Sequence, residues 1–125
     1  MATIVAKIGS SSITDHEGRI ASHVVAKLCR EVAGLRALGH RCVIVTSGAI
    51  AAGLPLLGLG GDKRPRDPSV LQAVSAVGQG RLIGHYMDEL ATHGLVGCAL
   101  GDHLHSHDPR DARVCRSVDT PRVEK

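Results

Sequence analysis

Aromatic residues are nearly absent. The 125-residue chain has no Trp and no Phe, and Tyr86 is its single Tyr. Any core must therefore be built from Val, Ile, Leu and Ala, and RNA-binding modules that stack bases on exposed aromatics are excluded. Long hydrophobic runs are missing too. Apolar runs such as Val43-Ile44-Val45 and Ala49 to Leu54 fall far below the ~20 residues that cross a bilayer. No basic leader followed by a long apolar stretch opens the chain, so neither a membrane span nor a secretory signal is expected. Four cysteines, Cys29, Cys42, Cys98 and Cys115, contain no C-x-x-C pair. They are too few and too scattered for a disulfide scaffold, which fits a reducing cytoplasm, and the first three read as small core fillers.

Charge of one sign is also lacking. Residues 1–62 carry six Lys/Arg and four Asp/Glu, residues 63–101 four and three, and residues 102–125 five and five, for a net +3. No segment forms the basic stripe of a nucleic-acid binder.

What is present is glycine, 15 residues or 12% of the chain, against an average near 7%. Set in an aliphatic background, that excess points to tight βα turns. Thr3 to Ile8 reads as a buried strand stopped by Gly9. Apolar residues at Ile20, Val24, Val25, Leu28, Val32, Leu35 and Leu38 mark an amphipathic helix ending at Gly39. Cys42 to Thr46 is a second strand, broken by Ser47-Gly48. Ala49 to Leu57 is a short helical stretch limited by Gly53 and Pro55. After a Gly- and charge-rich link, Gly58 to Pro68, helical patterning runs through Val70, Leu71, Val74, Val77, Leu82, Ile83, Met87 and Leu90. Leu95 to Leu100 is a candidate third strand.

This α/β order, with apolar rather than alternating strands, predicts a parallel sheet covered on both faces, a three-layer sandwich. The expected division is a folded part over residues 1–101 and an unpatterned, solvated tail over 102–125.

In a parallel sheet, loops leaving the carboxyl ends of strands line the ligand crevice. Two such loops share one chemistry. In Lys7-Ile8-Gly9-Ser10-Ser11-Ser12, Gly9 permits close backbone approach, successive N–H groups and hydroxyls can donate to phosphate oxygens, and Lys7 adds positive charge. In Thr46-Ser47-Gly48-Ala49, N–H groups at a helix start would meet a second anionic group. Two anion cradles are what phosphoryl transfer to an acid requires. The same residues admit a purely structural role, with Lys7 reaching solvent and Gly9 and Gly48 only turning the chain. The first loop is not a Walker P-loop, because its lysine precedes the glycine.

Three stretches, V-A-K-I-G-S-S (Val5 to Ser11), G-H-R-C-V-I-V-T-S-G-A-I-A-A-G (Gly39 to Gly53) and A-V-G-Q-G-R-L (Ala76 to Leu82), together resemble the amino-terminal half of the glutamate 5-kinase group of the amino acid kinase family. The run T-S-G-A-I-A-A-G is the specific one, since related carbamate, acetylglutamate and uridylate kinases share only the glycine after the first strand. The resemblance implies an amino acid kinase sandwich cut after about three parallel strands. It also implies transfer from ATP, with Mg²⁺ as counter-ion, to L-glutamate, giving L-glutamyl 5-phosphate and ADP in the first step of proline synthesis. On the same footing, Lys7 would be catalytic and contact the transferring phosphate, with Gly9, Ser10 and Ser11 around it. Ser47, Gly48 and Ala49 would bind glutamate, and no protein nucleophile or metal ligand is implied. Family members continue for more than twice this length and supply a second lysine and most of the adenine site. The pattern lapses after Val96, so an inactive, truncated or frame-shifted product is expected. The rival expectation is a non-catalytic fragment that associates with an intact kinase, or with itself, through an open sheet edge.

Three further features carry less. His103, His105 and His107, flanked by Asp102 and Asp108, lie in the expected tail and need packed elements to form a metal site. Gly78-Gln79-Gly80 with Gly84 has the wrong spacing for a dinucleotide fingerprint and no strand before it. Lys63, Arg64 and Arg66 form a basic cluster in a solvated link.

Overall fold

A computed structural model describes residues 1–97 of the chain. Strand β1 is Thr3–Ile8 and strand β2 is Arg41–Thr46. They pair in parallel with Lys7 opposite Val45 and Ile8 opposite Thr46. Helix α1 is Ser10–Ile13, α2 is Ser22–Ala37, α3 is Ala49–Gly53 and α4 is Pro68–Thr92. Two 3₁₀ turns, Pro55–Leu57 and Gly61–Lys63, sit between α3 and α4.

The local reasons are legible. Helix α2 ends where Gly39, at φ +85°, allows the left-handed cap. The Gly39 and His40 N–H groups donate to the carbonyls of Arg36 and Leu35, the paired closure of a Schellman end. Helix α4 starts with Pro68 in its first turn and Asp67 as N-cap, whose carboxylate accepts from the Ser69 N–H at 2.9 Å. Its buried residues are Val74, Gly78, Leu82, Tyr86 and Leu90, one every four positions along a single stripe.

That stripe corrects the apolar face read from the sequence. Val70 and Val77 are exposed, while Gly78 and Tyr86 are buried in their place. Apolar periodicity misses them because what the stripe packs against is set by backbone proximity and by a hydroxyl partner.

The core lies on one face of the sheet. Ile13, Val25, Leu28, Cys29, Val32, Leu82, Tyr86 and Leu90 form a buried cluster, with Ala6, Ile8, Cys42 and Ile44 of the strands packed against it. Helix α2 and the second half of α4 thus cover this face, while α3 packs on the first half of α4. On the opposite face Val43 is buried at 6% exposure, while Val5 at 60% and Val45 at 39% are exposed. The fold is mixed α/β with a small parallel sheet and four helices, and among the described residues the second face of the sheet is covered around Val43 and open at Val5 and Val45. The candidate third strand is not extended structure over Leu95–Gly97, where Leu95 packs on the core in irregular chain. Residues 98–100, the expected tail and the His103/His105/His107 cluster lie outside the described residues.

Candidate functional site

Parallel pairing sends both strands out of the sheet at the same end, neighbouring strands being about 4.8 Å apart. The ladder extends one step beyond β2, because the Ser47 N–H donates to the Ile8 carbonyl at 3.0 Å. Lys7 and Ser47 therefore belong to the same end of the molecule. Gly48 closes the gap further. A Cβ on it would stand 2.8 Å from Ile13 Cγ2 and 3.6 Å from Ser10 Cα. The Ser10–Ser11 and Ser47–Ala49 segments are thus joined side by side, through backbone and through Ile13.

Both segments turn into helices, whose first N–H groups have no partner within the helix. The Gly9 carbonyl accepts from Ser12 and Ile13, and the Gly48 carbonyl from Ala52. Among the described residues the N–H groups of Gly9, Ser10 and Ser11, and those of Gly48, Ala49 and Ile50, have no protein acceptor. Gly9, Ser10, Ser11 and Ser47 are exposed, and Gly48, Ala49 and Ile50 half-buried. Two runs of three donors thus converge at one open rim, the composition of a backbone anion nest. Lys7 is exposed on the last turn of β1 and makes no ion pair among the described residues.

The two glycines differ in what they are for. Gly48 adopts φ +100°, a left-handed conformation costly for other residues. Gly9 sits at φ −77°, ψ 158°, and a Cβ there would meet nothing within 4 Å. Turning the chain requires glycine at 48 and not at 9, where its bareness leaves the backbone approachable.

Behind the second loop stand residues that the motifs did not single out for the site. The Tyr86 hydroxyl donates to Thr46 Oγ1 at 3.1 Å, and Thr46 Oγ1 donates to the Ser47 carbonyl at 3.3 Å. A Cβ on Gly78 would lie 1.7 Å from the Ala49 carbonyl oxygen, and one on Gly53 2.1 Å from the Val74 carbonyl oxygen. Helices α3 and α4 therefore touch backbone to backbone, and the Gly78 of the rejected fingerprint is a packing residue. The one signal that could have found Tyr86 is its solitude, since a lone aromatic in an aliphatic core carries a hydroxyl that needs a partner.

Electrostatically the rim is made of donors. The nearest acidic device in sequence, the Asp15–Arg19 turn, is self-contained. Asp15 accepts the N–H groups of Glu17 and Arg19 at 2.9 Å each and pairs with the Arg19 side chain at 3.3 Å, while Arg19 also binds Glu17. The Arg19 backbone N–H, foremost, holds the Asp15 carboxyl below its ordinary value. In the core, burial pushes the Cys29 thiol up to about 11, helped by Glu89, and burial likewise raises the Tyr86 phenol above its usual value against the opposing bond to Thr46. Among the described residues no cluster of three His, Cys, Asp or Glu could hold a metal ion, and no helix is long and apolar enough to cross a membrane. Arg64 and Arg66, with Gly61, Asp62 and Pro65, line an open depression of about 430 Å³ in the exposed link.

Similarity to known proteins bears on the family. The model of the amino acid kinase family matches residues 2–125. Over 96 residues the chain is 47% identical to the glutamate 5-kinase of Desulfitobacterium hafniense, covering 77% of this chain and 25% of that protein. The glutamate 5-kinase of Salinispora arenicola is 49% identical over 93 residues, 74% of this chain and 25% of its own length. That of Streptococcus suis is 41% identical over 111 residues, 89% and 30% respectively. The chain spans about a quarter of the length of the curated relatives it matches most strongly. With a βα loop carrying Lys7 and Gly9 beside a second carrying Ser47 and Gly48, and with a family match along almost its whole length, the chain belongs to the amino acid kinase family and constitutes part of its kinase domain.

Proposed function

We propose that this chain carries the phosphate- and acid-binding part of a glutamate 5-kinase, in which ATP and L-glutamate give L-glutamyl 5-phosphate and ADP. The observation that carries the reading is the pair of donor runs, Gly9–Ser11 and Gly48–Ile50, side by side at the end of β1 and β2 with Lys7 beside them. In the reaction a carboxylate oxygen of glutamate attacks the terminal phosphorus, the bond to ADP breaks, and ADP leaves with the electron pair. Catalysis then consists of positioning two anions and offsetting their charge. Lys7 would neutralise the transferring phosphoryl group, while the bare backbone of Gly9 with Ser10 and Ser11 would hold its oxygens. Ser47, Gly48 and Ala49 would hold the glutamate. The donor set fits a nucleotide phosphate. It contains no carboxylate, so only its serine hydroxyls and the phosphates themselves could hold Mg²⁺, and no step is assigned to that ion.

Only a quarter of the relatives' length is covered, and the chain taken alone is proposed to bind weakly and not to turn over. A test is amide mapping of the ¹⁵N-labelled chain with ATP and with L-glutamate, alongside hydroxylamine trapping of acyl phosphate. ATP is expected to move the Gly9–Ser11 signals and L-glutamate those of Gly48–Ile50, with Lys7→Met weakening the ATP response about tenfold, the worth of one charge-assisted hydrogen bond. Silence of both loops at millimolar ligand would sink the site. Hydroxamate formed by the chain alone would sink the inactive reading.

A second reading is favoured by the exposed Val5 and Val45 and by the outer strand edges, which have no strand partner among the described residues. In it the chain associates with an intact kinase or with a second copy. Co-elution with a full-length relative at micromolar concentration is the expected result, and separate elution would remove this option.

A further inference from the structure

The second donor run owes its shape to a side chain on another element. Thr46 Oγ1 has one hydrogen. It accepts from the Tyr86 hydroxyl at 3.1 Å, so its own hydrogen is left for the Ser47 carbonyl at 3.3 Å. A trans peptide is planar, with its N–H opposite its C=O. Fixing the Ser47 carbonyl therefore fixes the direction of the Gly48 N–H, the first of the donors without a protein acceptor.

Tyr86 suits the task. It is 5% exposed on the buried stripe of α4, and a buried Tyr loses little rotamer freedom in holding one bond. Helix α4 is braced independently against the same loop, because Gly78 abuts the Ala49 carbonyl. Both ends of the relay are thus anchored in the core, with the movable peptide between them.

We propose that Tyr86 is a positioning residue: through Thr46 it sets the orientation of the Ser47–Gly48 peptide, and with it the affinity of that loop for the carboxylate of an acidic ligand. The second half of this statement rests on the proposed function; the first does not.

The test uses the full chain, ¹⁵N-labelled. Tyr86→Phe and Thr46→Val are each expected to shift the Gly48 amide resonance and the Ser47 carbonyl ¹³C resonance, because each frees the peptide plane the two groups share. The double variant should lose no more than either single, since each breaks the same relay. Thr46→Ser keeps the hydroxyl and should retain the wild-type Gly48 amide and Ser47 carbonyl resonances. Loss of mere packing would instead lower the global unfolding midpoint and spread over all the α4 amides. L-glutamate titration then reads the functional half, with about tenfold weaker response in Tyr86→Phe than in wild type. An unchanged Gly48 amide in Tyr86→Phe, or additive losses in the double variant, overturns the proposal. If wild type itself ignores L-glutamate, the site reading falls, and the relay is still decided by the Gly48 amide and Ser47 carbonyl shifts.

Discussion

At the scale of single residues, the molecule spends its few reactive groups on structure. Cys29 is fully buried, and its thiol is pushed up to about 11, so it is neutral at any ordinary pH. It is expected to ignore a disulfide reagent at pH 8 in the native chain and to react once urea unfolds it, as thiol-release absorbance would show. A raised thiol value means that the folded state favours the protonated form. Its stabilisation is complete below the ordinary 9.0 and is lost as pH rises from 9.0 through about 11. Tyr86 has the same sign above 10.0, and as the single aromatic it can be titrated by phenolate absorbance without interference. A midpoint at or below 10.0 would contradict its burial. Asp15 has the opposite sign. Its lowered value places its contribution above the ordinary 3.8 and removes it as pH falls below that. The Asp15–Arg19 turn should therefore loosen first on acidification, visible as early shifts of the Glu17 and Arg19 amides.

At the scale of elements, two helices and their glycines carry the argument. Gly78→Ala would drive a methyl to 1.7 Å from the Ala49 carbonyl oxygen, so α3 and α4 must part, at a cost of about 3 kcal/mol. Gly80 and Gly84, on the same helix, have nothing within 4 Å of an added Cβ. Alanine there should stabilise by about 0.5–1 kcal/mol. Urea midpoints of the three variants check the contrast, and equal effects at 78 and 80 would refute the close helix approach. Asp67→Ala removes the cap of α4 and should cost about 1 kcal/mol by the same measurement. At Gly48 the penalty is conformational as well as steric, with φ +100° and Ile13 Cγ2 at 2.8 Å. Gly48→Ala should cost about 2 kcal/mol and disturb Ser10 across the rim.

At the scale of the whole molecule, the sheet is the least evenly covered part of the described residues. One face holds the aliphatic core, and the other buries Val43 but leaves Val5 and Val45 exposed beside Lys7. Self-association that grows with concentration is expected in sedimentation. Val5→Thr with Val45→Thr should reduce it while shifting the urea midpoint by less than about 1 kcal/mol equivalent, as exposed positions do. An oligomer indifferent to both changes would locate its contact elsewhere.

Sequence by itself determined the two strands, the Gly39 stop, the short α3 and the two βα turns that bear Lys7 and Ser47. These are local matters of β-branched runs, helical spacing and glycine, decided within a few residues. It did not determine which stripe of α4 is buried, that Ile13 lies beneath the first loop, or that Tyr86 reaches Thr46, forty positions away. Nor did it separate the glycine that turns the chain at 48 from the one that merely bares it at 9. Those distinctions belong to tertiary structure, because backbone contact and hydrogen-bond partnership depend on which elements meet, and no local pattern of apolar residues encodes the meeting.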